Sequence, residues 1–192
     1  GRGAQITTRF SHRPAAAAVA QMLARDLRCP PTTSMGRWFD AAAGLLGVRE
    51  TSAYEGQAPM LLEALAAAQA PMASEATLSK WVRLGPDGVL DPTPLIAHLA
   101  DAADAGHGAA LFHHAMIDGL ARWVAQATES TGVRTVALGG GCFLNALLTR
   151  GLAARLAARG VRVLEARQAP PNDGGIALGQ AWVAVCRMNQ GA

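Results

Sequence analysis

The chain has 192 residues, of which 51% are hydrophobic and 16% are charged, and its formal net charge is +3 at pH 7. This composition is that of a globular, mostly helical protein with a core of ordinary size, and it excludes an intrinsically disordered chain. The arginines are dispersed and do not alternate with aromatic residues, which argues against a nucleic-acid-binding surface.

Helical periodicity predicts three helices in the first 70 residues. The first spans residues 14–28 and stops before a pair of prolines. The second spans residues 35–46 and ends at Gly47, and the third spans about residues 56–68 and ends near Pro71. The first ten residues match no clear element.

The middle of the chain predicts a short hairpin followed by two helices. Apolar runs at residues 78–84 and 89–90 flank the sequence GPDG at 85–88, whose residues favour a tight turn. A helix that opens on an aspartate and a proline is predicted over residues 91–105, and a long helix is predicted over residues 108–129.

The last third of the chain predicts a βαβα unit and hence an α/β fold. Its parts are a strand at 135–138, the loop Gly139, Gly140 and Gly141, a helix, a strand at 161–164, the loop NDGG at 172–175, and a helix at 176–188. The carboxyl ends of parallel strands meet at one edge of a sheet, so the two loops should be spatial neighbours. Open α/β sheets bind ligands in crevices of this kind.

These two loops suggest a nucleotide site. Glycines let the backbone approach a ligand closely, and the N-terminus of the next helix offers unpaired N–H groups to a phosphate. Asp173 would supply an oxygen ligand to a metal in the same crevice. The alternative is that both loops are ordinary strand-to-helix turns, with Asp173 as a helix N-cap.

The predicted sheet is small for strands as apolar as residues 135–138, which normally lie between neighbouring strands. The chain shows no linker and no internal repeat. We therefore expect residues 1–192 to form a single lobe of a larger α/β protein, with no clear assignment for residues 1–13.

The three cysteines, Cys29, Cys142 and Cys186, are far apart and form neither a disulfide framework nor a paired zinc motif. A reducing cytoplasm is the simplest compartment for them. The sequence has no apolar run long enough to cross a bilayer and no signal-peptide core, so we expect a cytoplasmic protein without a membrane partner.

Several unrelated motifs occur in an order that resembles one protein family. They are SMGRWFDAAA at 34–43, YEGQA at 54–58, GGG at 139–141 with Asn145 after it, and NDGG at 172–175. In this order and spacing the chain is similar to the C-terminal part of HypF, the carbamoyltransferase of [NiFe]-hydrogenase maturation. The resemblance covers about residues 14–186.

The resemblance implies the second lobe of an actin-like ATPase fold, which the family shares with the proteins that transfer threonylcarbamoyl to tRNA. It implies transfer of a carbamoyl group from carbamoyl-adenylate, made from carbamoyl phosphate and ATP, to the C-terminal cysteine of the maturation protein HypE. It also implies a divalent metal, and a first lobe whose paired histidines have no counterpart in this sequence. The other HypF domains are therefore expected partners.

The resemblance also implies roles for single residues. Asp173 matches a metal-ligating aspartate, and Asn145 matches an asparagine that contacts the adenosine. Gly139, Gly140 and Gly141 match the loop that lets the nucleotide approach the backbone. Asp40 matches an aspartate that binds the ribose or substrate in the tRNA-modifying relatives, and Glu55 and Gly56 fall in a segment facing the same ligand. No residue is assigned as a catalytic nucleophile.

Each role has a simpler alternative. Asp40 could be an ordinary acid paired with Arg37, and Asn145 could merely cap the helix that follows it. Cys142 at a helix start could be a nucleophile with a lowered pKa, although a small packing residue is the usual case. Of His113 and His114 on the long helix, one is expected to be buried and hydrogen-bonded and the other exposed.

Two other functions are open from the sequence. One is a threonylcarbamoyl transferase acting on tRNA, against which the YEGQ segment and the lack of a basic surface both count. The other is a noncatalytic lobe that binds nucleotide or serves as a docking platform for a partner.

Overall fold

The computed structural model describes residues 3–69 and 78–190 and divides the chain into two compact units, Gly1–Ser34 and Met35–Ala192. The predicted end of a helix near Pro71 lies outside the described residues.

The first unit is helical. A 3₁₀ turn at Gly3–Gln5 leads into the short helix α1 (Ile6–Arg9), so the expectation of no element in the first ten residues was wrong. Helix α2 (Ala16–Ala24) confirms the predicted helix with shorter bounds. It ends early because Asp26 and Arg28 adopt positive φ values of 51° and 54°, which a right-handed helix cannot continue through.

The second unit holds the other helices and the four strands found in the described residues. Their bounds are α3 (Met35–Leu45), α4 (Gln57–Ala67), β1 (Arg83–Leu84), β2 (Leu90–Asp91), α5 (Thr93–Leu99), α6 (Ala105–Thr131), β3 (Thr135–Leu138), α7 (Ala146–Ala157), β4 (Arg162–Glu165) and α8 (Ile176–Gln190). The predicted order of helices, hairpin and βαβα unit is confirmed.

Helix α6 is the centre of the core, and α3, α4, α5 and α7 all pack against it. Phe112 of α6 meets Phe39 of α3 edge to face, with ring centroids 4.9 Å apart. Such aromatic pairs add to the stabilisation that comes from burial alone. Leu62 of α4 and Leu148 of α7 are fully buried in the same cluster.

The boundary between α5 and α6 differs from the prediction. Helix α5 stops at Leu99, and α6 begins at Ala105, three residues before the predicted start. The reason is Asp104, whose extended backbone and side-chain bond from the His107 N–H at 3.0 Å make it the N-cap of α6.

The predicted hairpin is present, but its strands are shorter. Strands β1 and β2 pair antiparallel through Arg83 with Asp91 and Leu84 with Leu90, while residues 78–81 form turns instead of strand. The indole N–H of Trp123 on α6 donates to the Gly88 carbonyl at 2.8 Å and holds the turn in place.

Strands β3 and β4 pair in parallel from Thr135 with Arg162 to Leu138 with Glu165, as expected of a βαβ crossover through α7. Leu138 is buried, but Ala137 and Leu164 are exposed. No helix in the described ranges, 3–69 and 78–190, is both long and apolar enough to cross a membrane.

Candidate functional site

The glycine loop and the acidic loop meet at the carboxyl ends of β3 and β4. The N–H of Gly140 donates to the carbonyl of Pro171 at 2.6 Å, which joins the loop after β3 to the loop after β4. Gly140 has φ +107° and ψ 160°, a conformation that side-chain-bearing residues rarely adopt. The prediction that the two loops are spatial neighbours is confirmed.

Asp173 lies at the surface in the first turn of the 3₁₀ helix Asp173–Gly175. Asn172 is the N-cap of this turn, because its side-chain oxygen accepts from the Gly174 N–H at 3.2 Å. The alternative that Asp173 is the N-cap was therefore wrong. The Asp173 carboxylate is left exposed beside the glycine loop. The two loops are close at this point, because a Cβ added at Gly141 would lie 3.8 Å from the Cβ of Asn172.

Asn145 is buried and has polar partners on both sides. Its side-chain oxygen accepts from the Leu148 N–H at 2.8 Å, so it caps α7. Its Nδ2 lies 3.0 Å from Nε2 of His113, whose Nδ1 lies 2.8 Å from the carbonyl of Ala109. Both contacts are satisfied by a neutral imidazole that carries its proton on Nδ1. Burial lowers the pKa of His113 and so favours this neutral form.

Of the two adjacent histidines on α6, His113 is the buried and hydrogen-bonded one, as expected. His114 is half-buried, not exposed, because it faces Arg155 of α7. The pKa of His114 is lowered mainly by burial and, to a smaller extent, by the positive charge of Arg155.

The amides in the first turn of α7 are already occupied. Oε1 of Glu63 on α4 accepts from the N–H of Ala146 at 2.7 Å and of Leu147 at 3.3 Å, and Asn145 takes the N–H of Leu148. The prediction that this helix N-terminus offers unpaired N–H groups to a phosphate was therefore wrong, because a carboxylate of the protein fills the position.

Upstream of α7 the glycine loop is more open. The amides of Gly141 and Cys142 have no acceptor among the residues that the structure describes. A Cβ added at Gly139 would meet nothing within 4 Å. A ligand can therefore reach the backbone of this loop without displacing a side chain.

A cavity of about 640 Å³ lies between one face of α3, the segment that joins α3 to α4, and the start of α4. Three of the predicted ligand-binding residues, Asp40, Glu55 and Gly56, line it together. The other lining residues are Arg37, Gly44, Arg49, Glu50, Ser52, Ala53, Tyr54 and Ala58. Its volume suits a nucleoside-sized ligand, and its charged lining suits polar groups.

The expected ion pair of Arg37 with Asp40 is present at 2.7 Å. Arg49 lines the same cavity, and its guanidinium has no ion pair or hydrogen bond to any residue in the described ranges. Among the described residues, this arginine therefore remains available to an anionic group of a ligand.

Cys142 is not an activated nucleophile. Burial, and then the negative charge of Asp40, raise the pKa of its thiol, so the hypothesis of a lowered pKa was wrong. Helix α3 contacts residues 141–144, at the end of the glycine loop, directly. The cavity and the glycine loop therefore lie on adjoining parts of the second unit.

Residues 3–180 match the family described as carbamoyltransferase, Kae1-like domain, second subdomain. This chain belongs to that family. The match covers both loops and the cavity, and it confirms the resemblance to HypF that the motifs indicated.

Named relatives agree with this assignment. The chain is 48% identical to carbamoyltransferase HypF2 of Cupriavidus necator over 97% of its own length and 26% of that protein's. It is 45% identical to carbamoyltransferase HypF of Rhizobium leguminosarum bv. viciae, over 89% of its length and 22% of that relative's. The chain thus spans about a quarter of the length of these proteins.

Two solved structures share the fold. A crystal structure of full-length HypF in its phosphate- and nucleotide-bound form is 31% identical, has a TM-score of 0.75, and is matched over 88% of this chain and 22% of that one. The crystal structure of T. kodakarensis HypF, at 24% identity and a TM-score of 0.73, supports the fold alone. The predicted α/β, helix-rich lobe of the actin-like, Kae1-type fold is confirmed.

The sequence predicts one metal ligand in this chain, Asp173. The exposed carboxylate of Asp173 has no partner within the described ranges, and carboxylate oxygens suit a divalent cation. The described residues bring together no group of three His, Cys, Asp or Glu side chains. A metal held by Asp173 would therefore need its other ligands from outside the described residues.

Sequence reasoning missed Glu63 and Arg49. Glu63 is the single acid on the apolar helix QAPMLLEALAA, which is a signal of a buried or capping role. Arg49 stands in a polar stretch beside the YEGQA motif, and only the fold shows that it lines the same cavity as Asp40.

Proposed function

We propose that this chain is the second half of a nucleotide cleft that binds carbamoyl-adenylate, and that the complete protein transfers the carbamoyl group to the C-terminal cysteine of a HypE-like maturation protein. The observation that supports this best is the junction of the two loops through Gly140 and Pro171. That junction puts an open glycine backbone beside the exposed carboxylate of Asp173, next to a cavity lined by the acidic residues Asp40, Glu50 and Glu55.

In this proposal the residues of the cavity hold the nucleoside. The carboxylates of Asp40 and Glu55 accept hydrogen bonds from the ribose hydroxyls, and Gly56 leaves room at the start of α4. In the proposal, the glycine loop at residues 139–141 lies along the nucleotide. Asn145 contacts the adenosine, as the sequence predicted. Asn145 would then act through its remaining Nδ2 hydrogen, because its other polar positions are engaged.

The transfer step is a nucleophilic displacement at the carbamoyl carbon. The bond from that carbon to the phosphate oxygen breaks, a bond to the cysteine sulfur forms, and AMP leaves with the electron pair. The thiol gives up its proton before the attack, since the thiolate is the nucleophile. A divalent metal bound at Asp173 would offset charge on the leaving phosphate. The role of this chain is to position the adenylate.

The wider setting follows from this reaction. The thiocarboxamide made on the partner would be the precursor of the cyanide ligands of a [NiFe]-hydrogenase, and ATP with carbamoyl phosphate would supply the adenylate. The three cysteines of the chain are free thiols, which supports a reducing cytoplasm as the site of the reaction.

A variant of Asp173 tests the proposal. The complete protein is mixed with the partner, carbamoyl phosphate, ATP and magnesium, and the partner is weighed by intact-mass spectrometry. We expect a carbamoyl mass increase on its C-terminal cysteine, and its loss in Asp173→Asn together with metal-dependent nucleotide affinity. Asp87→Asn in the hairpin turn is the matched control and should transfer normally.

An unmodified partner in a folded, partner-bound complex would contradict the transfer reaction. Full transfer by Asp173→Asn would contradict only the metal role. The tRNA alternative predicts modification of a tRNA instead, which a reaction supplied with tRNA and threonylcarbamoyl-adenylate would show.

A docking role is the second candidate function, and helix α8 favours it. The helix keeps large apolar side chains at the surface, among them Trp182 at 68% and Met188 at 76% exposure. A surface of this kind marks an interaction site. Retained partner binding by a chain that binds no nucleotide would support this function over transfer.

A further inference from the structure

Glu63 occupies the position at the start of α7 where an anion would otherwise bind. One of its carboxylate oxygens lies 2.7 Å from the Ala146 nitrogen and 3.3 Å from the Leu147 nitrogen. These are the first two amides of the helix, which have no acceptor within the helix itself. The helix dipole adds to the attraction, since its positive end faces the carboxylate.

The contact joins two distant parts of the chain. Glu63 lies two turns into α4, and α4 begins at the cavity, which Gly56 and Ala58 line. Ala146 begins the helix that directly follows the glycine loop. The carboxylate is therefore a direct polar link between the cavity side and the loop side of the site.

A second link reinforces the first. Asn145, between the glycine loop and α7, caps the third amide of the helix and contacts His113 of α6. Glu63 also lies close enough to His113 for its charge to act on the imidazole. Residues of α4, α6 and α7 thus form one half-buried polar cluster behind the glycine loop.

We propose that Glu63 is a positioning residue, which fixes α7 and the glycine loop relative to α4 so that the cavity and the loop can hold the two ends of one nucleotide. The inference rests on the proposed nucleotide site. Glu63 itself touches no ligand. Because it fills the first turn of α7, the anionic groups of the ligand are directed to the loop upstream of that helix.

Two substitutions of Glu63 can distinguish a positioning role of its carboxylate from a contribution of the side chain to packing. Glu63→Gln keeps an oxygen acceptor of the same length but has no charge. Glu63→Ala removes the acceptor and leaves a space into which a small carboxylate such as formate can bind. Rescue by formate would report the anion position specifically, since a general loss of packing would not respond to it.

The experiment uses the complete protein and three measurements. Nucleotide affinity is measured by calorimetry, the exposure of the first turn of α7 by hydrogen exchange with mass spectrometry, and folding by thermal denaturation. Each is run with and without formate, against sodium chloride at equal ionic strength. Glu129→Ala, an exposed acid on α6, is the matched control.

We expect Glu63→Ala to weaken nucleotide binding about tenfold, as the loss of a charge-assisted hydrogen bond would. Exchange at residues 146–148 should become faster, and formate should restore both quantities. Glu63→Gln should fall between wild type and Glu63→Ala. Glu129→Ala should match wild type.

Two outcomes would overturn the role of Glu63. One is wild-type affinity in a folded Glu63→Ala protein. The other is a loss of affinity that only accompanies unfolding and that formate does not reverse. Wild-type protein that binds no nucleotide would instead overturn the proposed function, and with it the positioning role of Glu63.

Discussion

His113 and Asn145 show how a single buried contact ties the stability of the fold to pH. Folding holds His113 neutral, because burial lowers its pKa below the value near 6.5 of the unfolded chain. As the pH falls through that value, the unfolded state takes up a proton that the folded state does not. The contribution of neutral His113 to the free energy of unfolding is therefore complete above about pH 6.5 and declines below it.

We accordingly expect the free energy of unfolding to be lower at pH 5.5 than at pH 7.5, as measured by urea denaturation. His113→Gln should reduce that difference, since glutamine does not titrate. His114→Gln tests the neighbour, whose pKa is also lowered by burial, and it should leave the part due to His113 in place. An unchanged pH difference in His113→Gln would contradict the assignment.

At the same scale, three of the predicted site residues lie together in the structure. Two motifs about fifteen residues apart predicted that Asp40, Glu55 and Gly56 face the same ligand. All three residues line one cavity. The occupancy of the α7 N-terminus could not be predicted, because Glu63 lies 83 residues away from the amide it accepts from. Local sequence rules describe which groups a helix end exposes, but long-range packing decides what meets them.

At the scale of elements, a buried aspartate holds helices α6 and α7 together. Asp118 of α6 pairs with Arg122 on the same helix and with Arg155 on α7, each at 2.9 Å. Arg122 also donates to the carbonyl of Val82 at 2.5 Å, just before β1. One carboxylate thus links α6, α7 and the hairpin.

We expect Asp118→Ala to destabilise the protein by about 3 kcal/mol, because it removes the buried carboxylate that pairs with two largely buried guanidinium groups. Chemical denaturation measures the change. Glu129→Ala removes an exposed acid from the same helix and should change the free energy of unfolding by less than about 0.5 kcal/mol. Equal effects of the two substitutions would show that the buried network has no special weight.

The elements themselves were largely predictable, and the errors have a common cause. Periodicity located the helices and strands, but Asp104 was not identified as the cap that starts α6, so the α5–α6 boundary was misplaced. The first strand of the hairpin was predicted too long at 78–81. The apolar residues there pack in or against the core, but their backbone forms turns. Apolar character predicts burial more reliably than it predicts the backbone conformation that achieves it.

At the scale of the whole molecule, the second unit leaves an apolar surface open on α8. None of the side chains described on that helix is buried, and Ile176, Leu178, Trp182 and Met188 are all more than half exposed. The family description names this part a second subdomain, and the chain spans about a quarter of its relatives. The first subdomain of the same domain is the natural cover for such a surface.

This assignment predicts a protection pattern in the complete protein. A cysteine introduced by Trp182→Cys should react readily with a maleimide in the 192-residue chain and much more slowly in the complete protein, where burial excludes the reagent. Peptide mass spectrometry locates the label, so the native cysteines can stay. Ser130→Cys, exposed near the end of α6, is the control and should react alike in both proteins. Fast labelling at position 182 in both would contradict cover of α8 by the first subdomain.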